Sequence, residues 1–122
     1  MTLQELYQNI GGDYDQALRI LRVDKLVDKH IRKLIRNGVV EQLLSAEADM
    51  DPTRLFEAAH AMKGVCGNLG LPGLAEAASA ISEEYRPGNS RTMTDGQVKE
   101  KLHDIAEMYR KTEEGIRRYE ES

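Results

Sequence analysis

From Val98 to Tyr119 the chain repeats one pattern. Val98, Leu102, Ile105, Tyr109, Thr112, Ile116 and Tyr119 follow one another at intervals alternating between four and three. That period puts all seven on one stripe of an α-helix. Thr94, with Gln97 three residues on, forms a capping box that starts it. The predicted helix is about 25 residues long. A helix with a single apolar stripe folds by burying it against other elements. No alternating run of β-branched residues is present to supply a strand. The partners must therefore be helices.

The rest of the chain offers them. Leu3, Leu6, Tyr7 and Ile10 fit a short amphipathic helix that Gly11-Gly12 ends. Asp13 caps the next, with Gln16 at the capping-box position, and that helix carries Tyr14, Ala17, Leu18 and Leu21. Asp24 is the expected N-cap of a third segment, whose apolar side holds Leu26, Val27, His30, Ile31, Leu34 and Ile35. Asn37-Gly38 stops it. Val39, Val40, Leu43 and Leu44 predict a fourth helix to about Ala48. Asp51-Pro52 then starts a long helix, an N-cap followed by proline at the first helical position. Gly70 can supply its left-handed C-terminal residue, and Pro72 prevents continuation. Leu74, Ala78, Ile81 and Tyr85 mark another helix, and Arg86 to Arg91 is the clearest loop. The expectation is an all-α chain: an antiparallel helical bundle with additional short N-terminal helices.

Length and composition agree with one soluble domain. The 122 residues suffice for a single core, and 40% apolar with 31% charged residues is ordinary for a globular chain. The net charge of -4 argues against a general nucleic-acid binder, which needs a basic face. One cysteine rules out an intrachain disulfide and any zinc site needing two cysteines from this chain. No apolar run approaches the roughly 20 residues that span a bilayer. Met1 to Glu5 lacks the basic and apolar segments of a signal peptide, so the expected compartment is the cytoplasm.

The long helix from Pro52 to about Leu69 is the unusual one. Leu55, Ala59, Met62, Cys66 and Leu69 form its core stripe. That stripe is centred about 200° around the helix from His60, so His60 points to solvent. Its neighbours three, four and seven residues on are Lys63, Gly64 and Gly67. A glycine costs roughly 1 kcal/mol against alanine in a helix interior. Two of them on the histidine's own face indicate that something must approach there closely. Phe56, one turn before His60, reads either as part of a docking patch or as a ring half-covered by a neighbouring helix.

Other candidates carry less. His30 reads as a residue at the core margin and His103 as a solvated position beside Asp104. The histidines lack the spacing of a metal-binding pair, and no metal site is expected. Cys66 falls on the apolar stripe, as a buried and inert thiol. Glu83-Glu84 and Glu113-Glu114 read as solvated helix faces. An exposed imidazole nitrogen can accept a phosphoryl group, with Lys63 neutralising part of its charge and Gly64 and Gly67 leaving room for a partner's active site. On the residues alone, His60 stays open between that role and a surface histidine of no consequence.

His60-Ala61-Met62-Lys63-Gly64 and Asn68-Leu69-Gly70 resemble the H-x-L-K-G-x-x-x-N-L-G signature of histidine-containing phosphotransfer (HPt) domains. Met62 replaces the usual leucine, a change that nearly preserves volume. Ala58-Ala59, Leu74-Ala75-Glu76-Ala77-Ala78 and Gly11-Gly12-Asp13-Tyr14 are similar to that family as well. The resemblance implies one HPt domain over residues 1–122, with a four-helix bundle at roughly 24–119, normally monomeric. It implies His60 as phosphoacceptor through Nε2, Lys63 as its basic neighbour and Gly64 as the residue keeping the site open. The implied partners are response-regulator receiver domains and hybrid histidine kinases. No cofactor is expected in this chain, and Mg²⁺ is expected in the partner receiver domain. A sensor-kinase dimerisation helix fits less well. Its H-E-x-[RK]-x-P pattern would need Glu where Ala61 stands and Pro where Val65 stands, and no Gly-rich nucleotide motif is present. A helical interaction module in which His60 is incidental is the other alternative.

Overall fold

The stripe from Val98 to Tyr119 lies in the longest helix of the computed structural model, which describes residues 1–122. Helix α7 spans Asp95–Glu121 and buries Val98, Leu102, Ile105, Tyr109, Thr112 and Ile116. Its capping box closes in both directions. The Gln97 N–H donates to Thr94 Oγ1 at 3.1 Å, and the Thr94 N–H donates to Gln97 Oε1 at 2.9 Å. The helices before it are α1 (Leu3–Ile10), α2 (Tyr14–Leu21), α3 (Asp24–Leu34), α4 (Val39–Ser45), α5 (Pro52–Asn68) and α6 (Pro72–Tyr85). The fold is all-helical, without a strand.

Packing closes a ring: α4 lies on α5, α5 on α6, α6 on α7 and α7 on α4. Helix α3 packs on α2 and α7, while α1 covers α7 and α2 covers α5. The apolar stripes of all seven helices meet in one core, with Leu6, Ile31, Leu43, Leu55, Ile81 and Ile105 fully buried. Each such side chain contributes about 1.5–3 kcal/mol relative to exposure. Gly115, a glycine inside α7, has a packing cause: a Cβ there would collide with Ile10 of α1.

The N-terminal helices fasten the end of α5. The Tyr7 hydroxyl donates to the Leu69 carbonyl at 2.7 Å in a buried position. The Asp13 N–H donates to the Gly70 carbonyl at 2.7 Å. Gly70 has φ +66°, and a Cβ there would strike the Asp13 carbonyl, so only glycine fits. The Asp13–Gln16 capping box consequently forms only in half. Asp13 Oδ1 accepts from the Gln16 N–H at 3.0 Å, but the Asp13 N–H is committed to Gly70.

Three sequence expectations are corrected. Asp24 is the first residue of α3 and Val23 its N-cap, without a side-chain bond, because the Asp24 carboxylate accepts from the Tyr14 hydroxyl instead. Leu26 is 38% exposed, since α3 turns only Val27, Ile31 and Leu34 inward. Glu84 is buried rather than solvated. Its carboxylate accepts from the Thr92 and Met93 N–H groups, both at 2.8 Å, from Thr92 Oγ1 at 2.7 Å and from Arg91 Nε at 2.9 Å. It ties the α6–α7 loop to the end of α6. Those hydrogen bonds, first among them from the Met93 backbone, hold its carboxyl down to about 2. The fourth helix runs to Ala48 as expected, with its last turn, Ala46–Ala48, in 3-10 form after α4 ends at Ser45.

Candidate functional site

Asp51 and Pro52 start α5 as the sequence predicts. Asp51 Oδ2 accepts from the Arg54 N–H at 3.2 Å, and Pro52 occupies the first turn. Leu55, Ala59, Met62 and Cys66 are buried. Burial pushes the Cys66 thiol up to about 12, which leaves it protonated and inert at neutral pH. With that stripe locked into the core, the opposite face of the helix must face out.

His60 is exposed, and its ring makes no hydrogen bond within the protein. The other two histidines differ. His103 is exposed but sits 3.0 Å from Glu47 through Nε2. His30 is half-buried at the core margin of α3, beside Leu21, Lys33, Asn37, Val65 and Asn68. His60 alone presents an unengaged imidazole to open solvent.

Around His60 the helix surface is low. A Cβ placed on Gly64 or on Gly67 would meet nothing within 4 Å. No internal packing therefore requires these glycines, in contrast to Gly70 and Gly115. Two residues that weaken the helix, without a packing reason, leave a flat shelf beside the imidazole. Lys63 is half-buried and enters no salt bridge. Its ammonium remains free to neutralise an anion on this face.

Phe56 is half-buried and stacks on His60, with ring centroids 5.7 Å apart and planes 22° from parallel. The Arg86 guanidinium, from the residue that ends α6, lies 5.9 Å from the Phe56 centroid. Arg86 is held in turn by Glu83, which accepts from Nη2 at 2.7 Å and Nε at 3.2 Å. Arg86, first, and then Lys63 keep the Glu83 carboxyl below the usual carboxylate range. Sequence reading missed Glu83 and Arg86 at this site. Their i,i+3 spacing was legible as a helix pair, but nothing in the sequence says that the end of α6 lies beside Phe56 of α5. No group of three or more His, Cys, Asp or Glu side chains converges anywhere in the fold to hold a metal ion.

The Hpt domain family model matches residues 27–111, from α3 into α7, with His60 and both glycines inside the matched span. The chain belongs to the Hpt domain family. Hpt domains are phosphoryl carriers of phosphorelays, working with receiver domains and kinases, and are not kinases themselves. Comparison with curated proteins and with solved structures gives no match. The match begins beyond α1 and α2, so the two helices that fasten Leu69 and Gly70 lie outside it. No helix of this Hpt domain is long and apolar enough to cross a membrane.

Proposed function

We propose that this Hpt domain is a phosphorelay intermediate that carries a phosphoryl group on His60 and exchanges it with an aspartate of a response-regulator receiver domain. The observation that carries this reading is the pairing of an exposed, unengaged imidazole with two helix glycines that nothing inside the protein requires. The family's antiparallel four-helix bundle is assigned to α3 and α4 as one broken arm, with α5, α6 and α7 as the others. The reading describes a monomer working in the cytoplasm.

In the transfer, the Nε2 lone pair of neutral His60 attacks phosphorus in line with the aspartyl oxygen. The phosphorus–oxygen bond breaks and leaves a free carboxylate on the receiver. The phosphorus–nitrogen bond forms while Nδ1 keeps its proton, and return transfer reverses each change. Lys63 offsets part of the incoming negative charge. Gly64 and Gly67 admit the receiver's active site, whose own Mg²⁺ supplies the remaining charge stabilisation. Phe56 belongs to the docking surface and limits the tilt of the imidazole.

Incubation with a phosphorylated receiver domain, followed by intact mass measurement, tests this. One acid-labile phosphoryl group on the wild type, absent from His60→Gln, is the expected result. Failure of transfer from every receiver domain tried would favour a helical interaction module in which His60 is incidental.

A further inference from the structure

Two cationic side chains border the His60 face, and they are held differently. Lys63 has no ion-pair partner, whereas Arg86 is gripped by Glu83 through two nitrogens. Arg86 nevertheless lies against Phe56, the ring that stacks on His60. The chain of contacts therefore runs from Glu83 to Arg86 to Phe56 to His60. Glu83 is half-exposed and Arg86 42% exposed at the side chain, so both can rearrange without disturbing the core. Asn89 Nδ2 donates to the Glu83 carbonyl at 2.9 Å and fixes the backbone from which the pair projects.

From this arrangement we infer that Glu83 is a positioning residue that sets the lifetime of the phosphoryl group on His60 by competing with it for Arg86. The inference rests on the proposed role of His60. In the unmodified protein Glu83 stores the guanidinium on Phe56. A phosphoryl group on His60 brings nearly two negative charges and three acceptor oxygens to the same neighbourhood. An arginine fork suits such a group better than it suits a single exposed carboxylate. Glu83 opposes that move. The phosphoryl group is thus held less firmly than two nearby cations would hold it, which favours onward transfer.

The experiment loads His60 from potassium phosphoramidate, which gives up its phosphoryl group and releases ammonia. The decay of the phosphorus–nitrogen signal is then followed by ³¹P NMR. Glu83→Gln is expected to lengthen the half-life by about two- to fivefold at low salt, an effect that fades towards 1 M salt. Arg86→Gln is expected to shorten it, Arg86→Lys to restore part of the loss, and the double variant to match Arg86→Gln alone. The Arg86 Nε–H resonance is expected to move on phosphorylation. An unchanged half-life in Glu83→Gln, or equal lengthening when Arg86 is already replaced, overturns the inference while leaving His60 as the acceptor. Absence of any phosphoryl signal takes down both readings. Circular dichroism of each variant checks the fold.

Discussion

The Phe56 and His60 rings lie 5.7 Å apart and within 22° of parallel, one helical turn from each other on α5. The stack gives the only exposed face of α5 an ordered aromatic pair and restricts where the imidazole nitrogens point. Such a contact is worth about 0.5–1.5 kcal/mol. Phe56→Leu keeps apolar bulk and removes the stack. It is expected to lower the rate of phosphoryl transfer to His60 by about two- to tenfold and the melting temperature by only about 2–5 °C. Stopped transfer assays with one receiver domain measure the first, and calorimetry the second.

Gly64 and Gly67 separate stability from function. Because an added Cβ meets nothing at either position, alanine is accepted without strain. Gly64→Ala and Gly67→Ala are each expected to stabilise the protein by about 0.5–1 kcal/mol through helix propensity. Gly64→Leu keeps the fold and fills the shelf beside His60. It is expected to block docking and transfer. Urea unfolding curves set beside transfer rates decide the point, and normal transfer by the leucine variant refutes the clearance argument.

Lys63 is the free cation of the site. Lys63→Ala is expected to shorten the phosphohistidine lifetime or slow transfer, with an unchanged far-UV spectrum. Transfer kinetics equal to wild type would remove Lys63 from the mechanism.

Glu84 anchors the α6–α7 loop from a buried position, and this makes stability depend on acid. Hydrogen bonds, first that from the Met93 backbone, depress its folded carboxyl to about 2 from the ordinary 4.5. A depressed carboxyl contributes stability that is fully present above the unfolded value and is lost as pH falls through the folded one. The contribution therefore stands above about pH 4.5 and disappears as pH falls towards about 2. Glu84→Gln is expected to cost about 2–3 kcal/mol at pH 7, with a smaller difference from wild type at pH 2. Thermal unfolding at the two pH values measures it.

The route from sequence to site was short because α5 is strongly patterned. Leu55, Ala59, Met62 and Cys66 had to face the core, and a helix that buries them leaves His60 outside. Asp51-Pro52, Thr94 with Gln97, and Gly70 marked helix ends through local chemistry that needs no tertiary contact. Where local and distant partners competed, local reading failed. Asp24 lost its capping role to the Tyr14 hydroxyl, and Glu84 left solvent for the loop of Arg91, Thr92 and Met93.

By itself the sequence determined the all-helical class, the helix ends set by local capping, the core stripe and the bare histidine. Each of these follows from periodicity or from bonds within one turn. The tertiary structure alone decided that Tyr7 and Asp13 fasten the end of α5 and that Gly115 exists to admit Ile10. It alone brought Arg86 and Glu83 beside Phe56. Those contacts join residues far apart in the chain, and their geometry depends on how α1, α5, α6 and α7 pack, which no local spacing encodes.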